Sequence, residues 1–308
     1  MKKEIRMNIL ITKENVDRNI YLIKYSYIYN YEVEYYINYV KKINGVNNLK
    51  FDKEGEYSIK IIFIGSMTNY GELFADCNYI INVDLTSFNT KEISTMEKMF
   101  YNCKNLKSVN LSNLNFGKVN NISEMFSGCT NLTKIEFSSC NITNVFDMSY
   151  MFSHCGIKTI NLNLLNTHNL KNIKGLFSYC ENLEKINFSS FDTKNVTDMS
   201  QLFEGCGKLQ NINFSNLNTE KVTDMGHMFS KANLQNINLS LLDTKNVKNM
   251  AYFFSKCKNL SNNHLSSLNT RNVLNMSHMF EKNDLQNINI SFLDTKNVEN
   301  MEYFFRVL

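Results

Sequence analysis

Seven cysteines recur at a fixed spacing, and thiols in such a series could form a metal site or a ladder of disulfides. They occupy one position of a 25- or 26-residue period: Cys77, Cys103, Cys129, Cys155, Cys180, Cys206 and Cys257. Zinc needs four ligands in a tetrahedron, but the series has no C-x-x-C pair and no histidine at ligand spacing. Ala232 takes the same position in one repeat, so the position requires a small residue. We therefore expect buried free thiols, with Cys140 as an eighth outside the series.

An aspartate opens the recurring segment DTKNV and could serve as a general base or a metal ligand. It is present as Asp192, Asp243 and Asp294, but the same position is asparagine in other repeats, such as Asn218. Because either residue is accepted there, the position is expected to form a turn rather than to carry charge-dependent chemistry.

The histidines do not complete a site either. His227 and His278 share a repeat position but lie two repeats apart, which corresponds to about 10 Å at strand spacing and is too far for one metal ion. The chain also has no G-x-S-x-G, P-loop or G-x-G-x-x-G motif. The sequence thus predicts a non-enzymatic protein with no catalytic residue, no metal ligand and no cofactor.

The elements that hold these residues follow from an internal repeat, which is marked by a Met, Leu or Phe followed by Phe. The first residues of the pairs are Leu73, Met99, Met125, Met151, Leu176, Leu202, Met228, Phe253, Met279 and Phe304. This series makes nine repeats and the start of a tenth. Fixed periods of this length are typical of proteins whose repeats stack on one another.

The residue pattern of each repeat predicts one strand and one helix. Apolar residues in 196–206 fall at offsets 0, 3, 6, 7 and 10, which predicts one face of a short helix, and Asp198 is a suitable N-cap. In 209–217, Ile212 and Phe214 alternate with polar residues, as in a strand with one buried face. We therefore predict an α/β solenoid with one short parallel strand and one short helix per repeat.

The chain divides into two predicted regions. Residues 1–66 are rich in aromatic and β-branched residues and are expected to form a β-rich N-terminal cap, with a separate ligand-binding domain as the alternative. Residues 67–308 form the solenoid of about nine repeats. Its last repeat stops after Phe304 and Phe305 with no apparent C-terminal cap, so we expect either a truncated gene product or self-association through the C-terminal end.

Two surfaces of this solenoid are candidates for contact with a partner. The outward strand positions, which are partner-binding candidates, are Asp84, Asn110, Glu136, Asn161, Asn187, Asn213, Asn238, His264 and Asn289. Basic residues before each predicted helix would form a ridge of Lys194, Lys221, Lys245, Arg271 and Lys296. The alternatives are stacked amides that only reinforce the sheet and a solvated edge.

The repeat resembles a known one. The pattern L-x-x-I-x-L-S-x-L-[DN]-T-x-N-V-x-[DN]-M-x-x-[ML]-F-x-x-C, closely matched by residues 183–229, is similar to the 26-residue repeat of the BspA-like leucine-rich-repeat proteins. This resemblance implies a leucine-rich-repeat-like fold, no enzymatic activity, and adhesion or protein contact, commonly at a cell surface. The seventh repeat departs from the pattern, because Asn263 and His264 interrupt its strand.

The net charge and the lengths of the apolar runs exclude some classes of partner. A formal net charge of +4 with 20% charged residues is too weakly basic for a protein that neutralises a phosphate backbone, so no nucleic-acid partner is expected. No apolar run is long enough for a membrane span or a signal peptide, which indicates no membrane insertion and an intracellular protein, whereas the resemblance suggests the cell surface. We predict a module that binds a protein or other macromolecular ligand through its strand face, in adhesion, with a structural or self-assembling rod as the alternative.

Overall fold

The computed structural model describes residues 2–24, 32–44, 48–65, 67–163, 165–210, 212, 214, 217–235, 237–283 and 288–306. The chain forms two compact units, Met1–Val145 and Phe146–Leu308. Asn213 of the predicted strand face lies outside the described residues. The predicted division at residues 66 and 67 stays a prediction.

The first unit is built on one seven-stranded sheet. Its strands are β1 (Lys2–Ile11), β2 (Glu32–Ile37), β3 (Val40–Asn44), β4 (Gly55–Ile64), β5 (Ile80–Asp84), β6 (Ser108–Asn110) and β7 (Lys134–Glu136). They lie in the order β3-β2-β4-β1-β5-β6-β7. Strand β1 pairs antiparallel with β4 and with β5, and β5, β6 and β7 are parallel. The N-terminal strands therefore continue the sheet of the repeats and cover the edge of β5.

The second unit contains less regular structure. Strands β8 (Thr159–Asn161) and β9 (Lys185–Asn187) form a parallel pair, and a single short helix, α1 (Asn262–Ser266), is present among the described residues. The 3-10 turns are Lys13–Asn15 in the first unit and Ile290–Phe292 in the second. No helix within the described part of the chain is long and apolar enough to span a bilayer.

The predicted α/β solenoid with one helix per repeat is wrong. The segments expected to be helical are chains of tight turns, as in residues 96–103, where Met99 N–H donates to the Met96 carbonyl (3.2 Å) and Cys103 N–H to the Phe100 carbonyl (3.2 Å). The alternate amides bond to the next repeat instead, so Phe100 N–H donates to the Met125 carbonyl at 2.9 Å. In an α-helix, each amide after the first turn bonds to the carbonyl four residues earlier. Here about half of the amides instead form a ladder between repeats.

Backbone conformation explains why no helix forms in these segments. Lys98 and Asn102 have φ of 56° and 57°, and Tyr150 and His154 have φ of 52° and 56°, in the left-handed region. A right-handed helix needs φ near −63°. Two left-handed residues per repeat turn the chain back on itself while the apolar residues still point inward, so the segment keeps the spacing of an amphipathic helix without being one.

Helix α1 lies where the sequence departs from the repeat pattern. Helix α1 contains Asn263 and His264, the residues that interrupt the strand pattern of the seventh repeat. Ser261 is its N-cap and forms a capping box with His264. The lost apolar strand residue thus marks a local change of secondary structure.

Stacked phenylalanines fill the core of both units. Rings of successive repeats are nearly parallel, with centroids 5.3 Å apart for Phe74 and Phe100 and 5.8 Å apart for Phe203 and Phe229. Seven of the eight cysteines are buried beside them, and Cys257 is of intermediate exposure. The cysteine position is also a hydrogen-bond donor, because Cys206 Sγ lies 3.1 Å from the Phe177 carbonyl of the preceding repeat.

The polar residues of DTKNV connect each repeat to its neighbours. Asp192 Oδ1 accepts the Lys194 N–H at 3.0 Å, which confirms the predicted turn. The buried Thr193 hydroxyl donates to the Asn218 carbonyl at 2.9 Å, and Asn195 Nδ2 donates to the His168 carbonyl at 3.1 Å. The motif therefore holds the backbone in both directions along the stack.

Candidate functional site

A row of polar side chains crosses one face of the seven-stranded sheet. In β1, Glu4, Arg6 and Asn8 point to this face, while Ile5 and Ile9 point to the core. The strand register aligns six side chains in one line, from β2 to β7: Tyr36, Lys60, Arg6, Asp84, Asn110 and Glu136. The predicted residues of the first three repeats are thus joined by residues of the N-terminal strands.

A second polar row runs beside the first. It contains Ser58, Asn8, Asn82, Ser108 and Lys134. Ser108 Oγ lies 2.6 Å from Asn82 Oδ1, and Ser58 Oγ lies 3.4 Å from Asn8 Oδ1. The two rows line an open groove of about 430 Å³, a volume within the range of ordinary ligand sites.

Tyr39 overhangs the groove from the hairpin that joins β2 and β3. Asn38 and Tyr39 have φ of 46° and 68°, which is the conformation of a two-residue hairpin turn. Asn38 N–H donates to the Ser58 carbonyl at 2.9 Å, and Asn38 Oδ1 accepts the Ser58 N–H at 3.0 Å. The turn is thereby fixed to β4, and the Tyr39 side chain, 90% exposed, is available to a ligand.

The charges of the groove are only partly balanced. Arg6 Nε lies 2.6 Å from Glu4 Oε1, a hydrogen bond that raises the pKa of Arg6, and Lys134 Nζ lies 2.6 Å from Glu136 Oε1. Lys60 Nζ lies 3.9 Å from the centroid of the Tyr36 ring. Among the described residues, neither Lys60 nor Asp84 has an ion-pair partner within 4.0 Å.

The remaining predicted strand-face residues lie in different settings. Asn161 and Asn187 end β8 and β9 and are exposed, and Asn238 and Asn289 are exposed but lie outside the assigned strands. His264 is buried in α1. The structure therefore brings together Asp84, Asn110 and Glu136 in the groove of the first unit, and Asn161, Asn187, Asn238, His264 and Asn289 belong to the second unit.

Most of these side chains have a local structural role. In six of them the side-chain Oδ1 accepts the backbone N–H of the residue two positions later, at 2.9–3.2 Å. These six are Asp84, Asn110, Asn161, Asn187, Asn238 and Asn289. Because Oδ1 is engaged, each asparagine retains its amide N–H groups for a ligand, and Asp84 retains its second oxygen.

The predicted basic ridge carries acidic partners. Lys194, Lys245 and Lys296 lie 3.4, 3.0 and 3.5 Å from the aspartate two residues earlier in the chain. The hydrogen bond that Lys245 donates to Asp243 raises the pKa of Lys245, and Lys221 Nζ donates to Asn195 Oδ1 at 2.8 Å. Arg271 is held at the backbone by Asn269. These pairs reduce the net positive charge, and a partner for the ridge stays a prediction.

One Ser–His pair calls for a test of catalytic geometry. Ser261 Oγ lies 2.9 Å from His264 Nδ1, but the Ser261 backbone N–H also donates to that nitrogen at 3.0 Å. Nε2 lies 3.0 Å from the Ile237 carbonyl. Both ring nitrogens are thus used in fixing α1, and burial lowers the pKa of His264. No cluster of three or more metal-ligating side chains occurs in the part of the chain that is described.

Sequence reasoning missed Arg6, Lys60 and Tyr39. The alternation of Glu4, Arg6 and Asn8 with apolar residues is a strand pattern with one polar face, and it could have located the first of these. Asn38 and Tyr39 lie between two β-rich segments, but tyrosine is not a typical residue for a left-handed turn. Nothing in the sequence indicates that Arg6, Lys60 and Tyr39 line one groove with Asp84.

Successive repeats are joined by parallel backbone bridges, such as Asn69 to Thr95 and Thr95 to Asn121. Residues 8–123 match the model described as BspA type leucine rich repeat region (6 copies), which confirms the predicted resemblance. The chain belongs to the family described as Mycoplasma protein of unknown function, DUF285, whose model matches residues 68–186, 156–264 and 232–307.

The comparison with solved structures found one similar chain, the crystal structure of a leucine-rich repeat protein from Bacteroides ovatus ATCC 8483. It is 19% identical, the match covers 67% of this chain and 45% of that chain, and the TM-score is 0.39. A search of curated proteins found no significant match.

Proposed function

We propose that this repeat protein is a non-enzymatic interaction module that binds a macromolecular partner through the polar sheet face of its first unit. The observation that carries the proposal is the groove itself. Asp84, Asn110 and Glu136 of three successive repeats share one open surface with Arg6 and Lys60 of the N-terminal strands.

The chemistry of the groove fits binding better than catalysis. Its side chains are short amides and hydroxyls, exposed ion pairs and one exposed tyrosine, and most stand on strands rather than on loops. Strands hold such groups at fixed spacing, which favours recognition of a shape that also has a fixed spacing. Adhesion, the role that BspA-type repeats suggest, is one form of such binding.

A self-assembling rod is the second candidate, and the last described repeat favours it. Met301, Tyr303 and Phe305 are 40%, 51% and 44% exposed, which makes an apolar surface. At the first repeat, the Lys24 N–H already donates to the Leu73 carbonyl at 3.0 Å and covers part of the edge. Head-to-tail growth would have to displace this contact, so we rank assembly second.

The test is selection from a random peptide display library against two proteins, the wild type and a variant with a filled groove. Asn82→Tyr with Ser108→Tyr fills the groove with residues that strands accept well. The control, Ser87→Tyr with Ser138→Tyr, makes the same two additions in exposed turns outside the groove.

Peptides that bind the wild type and the control but not the filled variant are the expected result. Equal binding to all three proteins would reject the sheet face as the binding surface. If no peptide is enriched and light scattering grows with concentration, the self-assembling rod is the better description.

A further inference from the structure

Among the described residues, two charges of the groove have no ion-pair partner, and these two define its polarity. Lys60 and Asp84 lie on either side of Arg6, on β4 and β5, which both pair with β1. Two strand steps place their Cα atoms about 10 Å apart. The groove is therefore positive on the side of β4 and negative on the side of β5, although its paired charges cancel.

Polarity of this kind selects against several ligand classes. A nucleic acid would bring phosphates toward Glu4, Asp84 and Glu136, and like charges repel it. A neutral oligosaccharide would satisfy the amides and hydroxyls, but it would cover Lys60 and Asp84 without compensating their charges. A ligand with one anionic and one cationic group, about two strand spacings apart, would compensate the charges of both Lys60 and Asp84.

An extended polypeptide supplies that arrangement. Side chains two positions apart project from the same face of an extended chain, about 7 Å apart, and the lengths of acidic and basic side chains make up the difference. Between them, the backbone groups of the segment would lie over Asn8, Asn82 and Ser108, which offer donors and acceptors. Tyr39 adds an exposed ring for an apolar neighbour.

We propose that the groove binds an extended segment of a partner protein in which an acidic and a basic side chain are two positions apart. The acidic group lies against Lys60 and Arg6, and the basic group lies against Asp84. This assignment rests on the proposed function, because it names the partner chemistry of the same surface.

The test is an array of nine acetylated and amidated peptides, Gly-Ser-X-Ser-Z-Ser-Gly, in which X and Z are each Glu, Gln or Lys. Binding of the purified chain is compared with that of Lys60→Gln and Asp84→Asn variants. Asp84→Asn preserves the turn, because asparagine accepts the same N–H bond at Asn110 and Asn161. The control removes an exposed pair outside the groove, with Glu92→Gln and Lys118→Gln.

Peptides with one Glu and one Lys are expected to bind best to the wild type. Replacing the peptide Glu by Gln should weaken binding about two- to fivefold in the wild type and have no effect in Lys60→Gln, since exposed ion pairs have that strength. The peptide Lys and Asp84→Asn should behave in the same way. The control variant should retain the full preference.

Equal binding of charged and neutral peptides, or a preference that survives both variants, would overturn the inference. Absence of binding by every array peptide would overturn it as well, whereas the proposed function would still stand if library peptides required an open groove. Binding of neutral oligosaccharides to the wild type but not to the filled variant would assign the groove to sugars instead.

Discussion

Gly175→Ala tests the close contact between neighbouring turns. Gly175 has φ of 58°, and an added methyl carbon would lie 3.0 Å from Cζ of Tyr150 and closer still to Cε1 and Cδ1. The Tyr150 ring crosses above the glycine, and its hydroxyl donates to Gln201 Oε1 two repeats away. A side chain at Gly175 must therefore displace the ring and break that bond.

The cost has two parts. A non-glycine residue in the left-handed region costs about 1 kcal/mol or somewhat more. Loss of the Tyr150 hydrogen bond and of part of its packing adds about 1–2 kcal/mol. We expect Gly175→Ala to lower the free energy of unfolding by about 2–3 kcal/mol, and by only about 1 kcal/mol in a Tyr150→Ala background.

Denaturant midpoints of the four proteins of this cycle measure the coupling, provided that the slopes agree. The matched control pairs Tyr150→Ala with Gly205→Ala, because Gly205 lies against Tyr179 instead. Additive effects for Gly175 and Tyr150, or equal coupling in the control cycle, would refute the contact.

Three further results are expected. Phe203→Ala should destabilise by about 3–5 kcal/mol, because the ring is fully buried between Phe177 and Phe229; a loss no greater than that of the exposed Gln210→Ala would show that the stack is wrongly assigned. Thr193→Val should cost about 1–2 kcal/mol by leaving the Asn218 carbonyl without its hydroxyl donor, and Thr193→Ser should restore most of it in the same denaturant assay. Burial lowers the pKa of His264, so the unfolded chain binds a proton more readily than the folded one, and the free energy of unfolding should fall as the pH decreases below about 6.5. Unfolding curves of His264→Gln should show a weaker pH dependence, and an unchanged slope would exclude this histidine as a source.

The sequence allowed the period, the core and the turn residues to be predicted. Val196, Met199, Phe203 and Cys206 are fully buried, as their spacing requires, and Asp192 accepts the Lys194 N–H at 3.0 Å. These features depend on residues that are close together in the sequence, so the repeat pattern is enough to predict them.

The helix could not be excluded from the same pattern. Offsets that place side chains on one face of a helix also place them on one side of a chain of turns. The helix and the chain of turns differ in the acceptors of the alternate backbone amides, which in this protein are carbonyl groups of the next repeat. The glycines were the available signal, since Gly128 and Gly205 share one position of the repeat and both have positive φ.

The groove could not be predicted from any short segment of the sequence. Arg6, Lys60 and Asp84 meet because β1 lies between β4 and β5, an order that differs from the order along the chain. Periodicity predicted the three repeat positions but not the strands that adjoin them. The N-terminal region was predicted as a cover for the first repeat, yet it supplies half of the candidate site.

The turns formed by aspartate or asparagine have a consequence for how the molecule ages. In both Asp192 and Asn218, the side-chain Oδ1 accepts the backbone N–H of the residue two positions later, at 3.0 and 2.9 Å. Hydrolysis of an asparagine amide to aspartate at such a turn would therefore leave the backbone in place while adding a negative charge. In a chain with a formal net charge of +4, four such events would neutralise the molecule and a fifth would reverse its sign without unfolding it, so old and new copies would differ in electrophoretic mobility before they differ in shape.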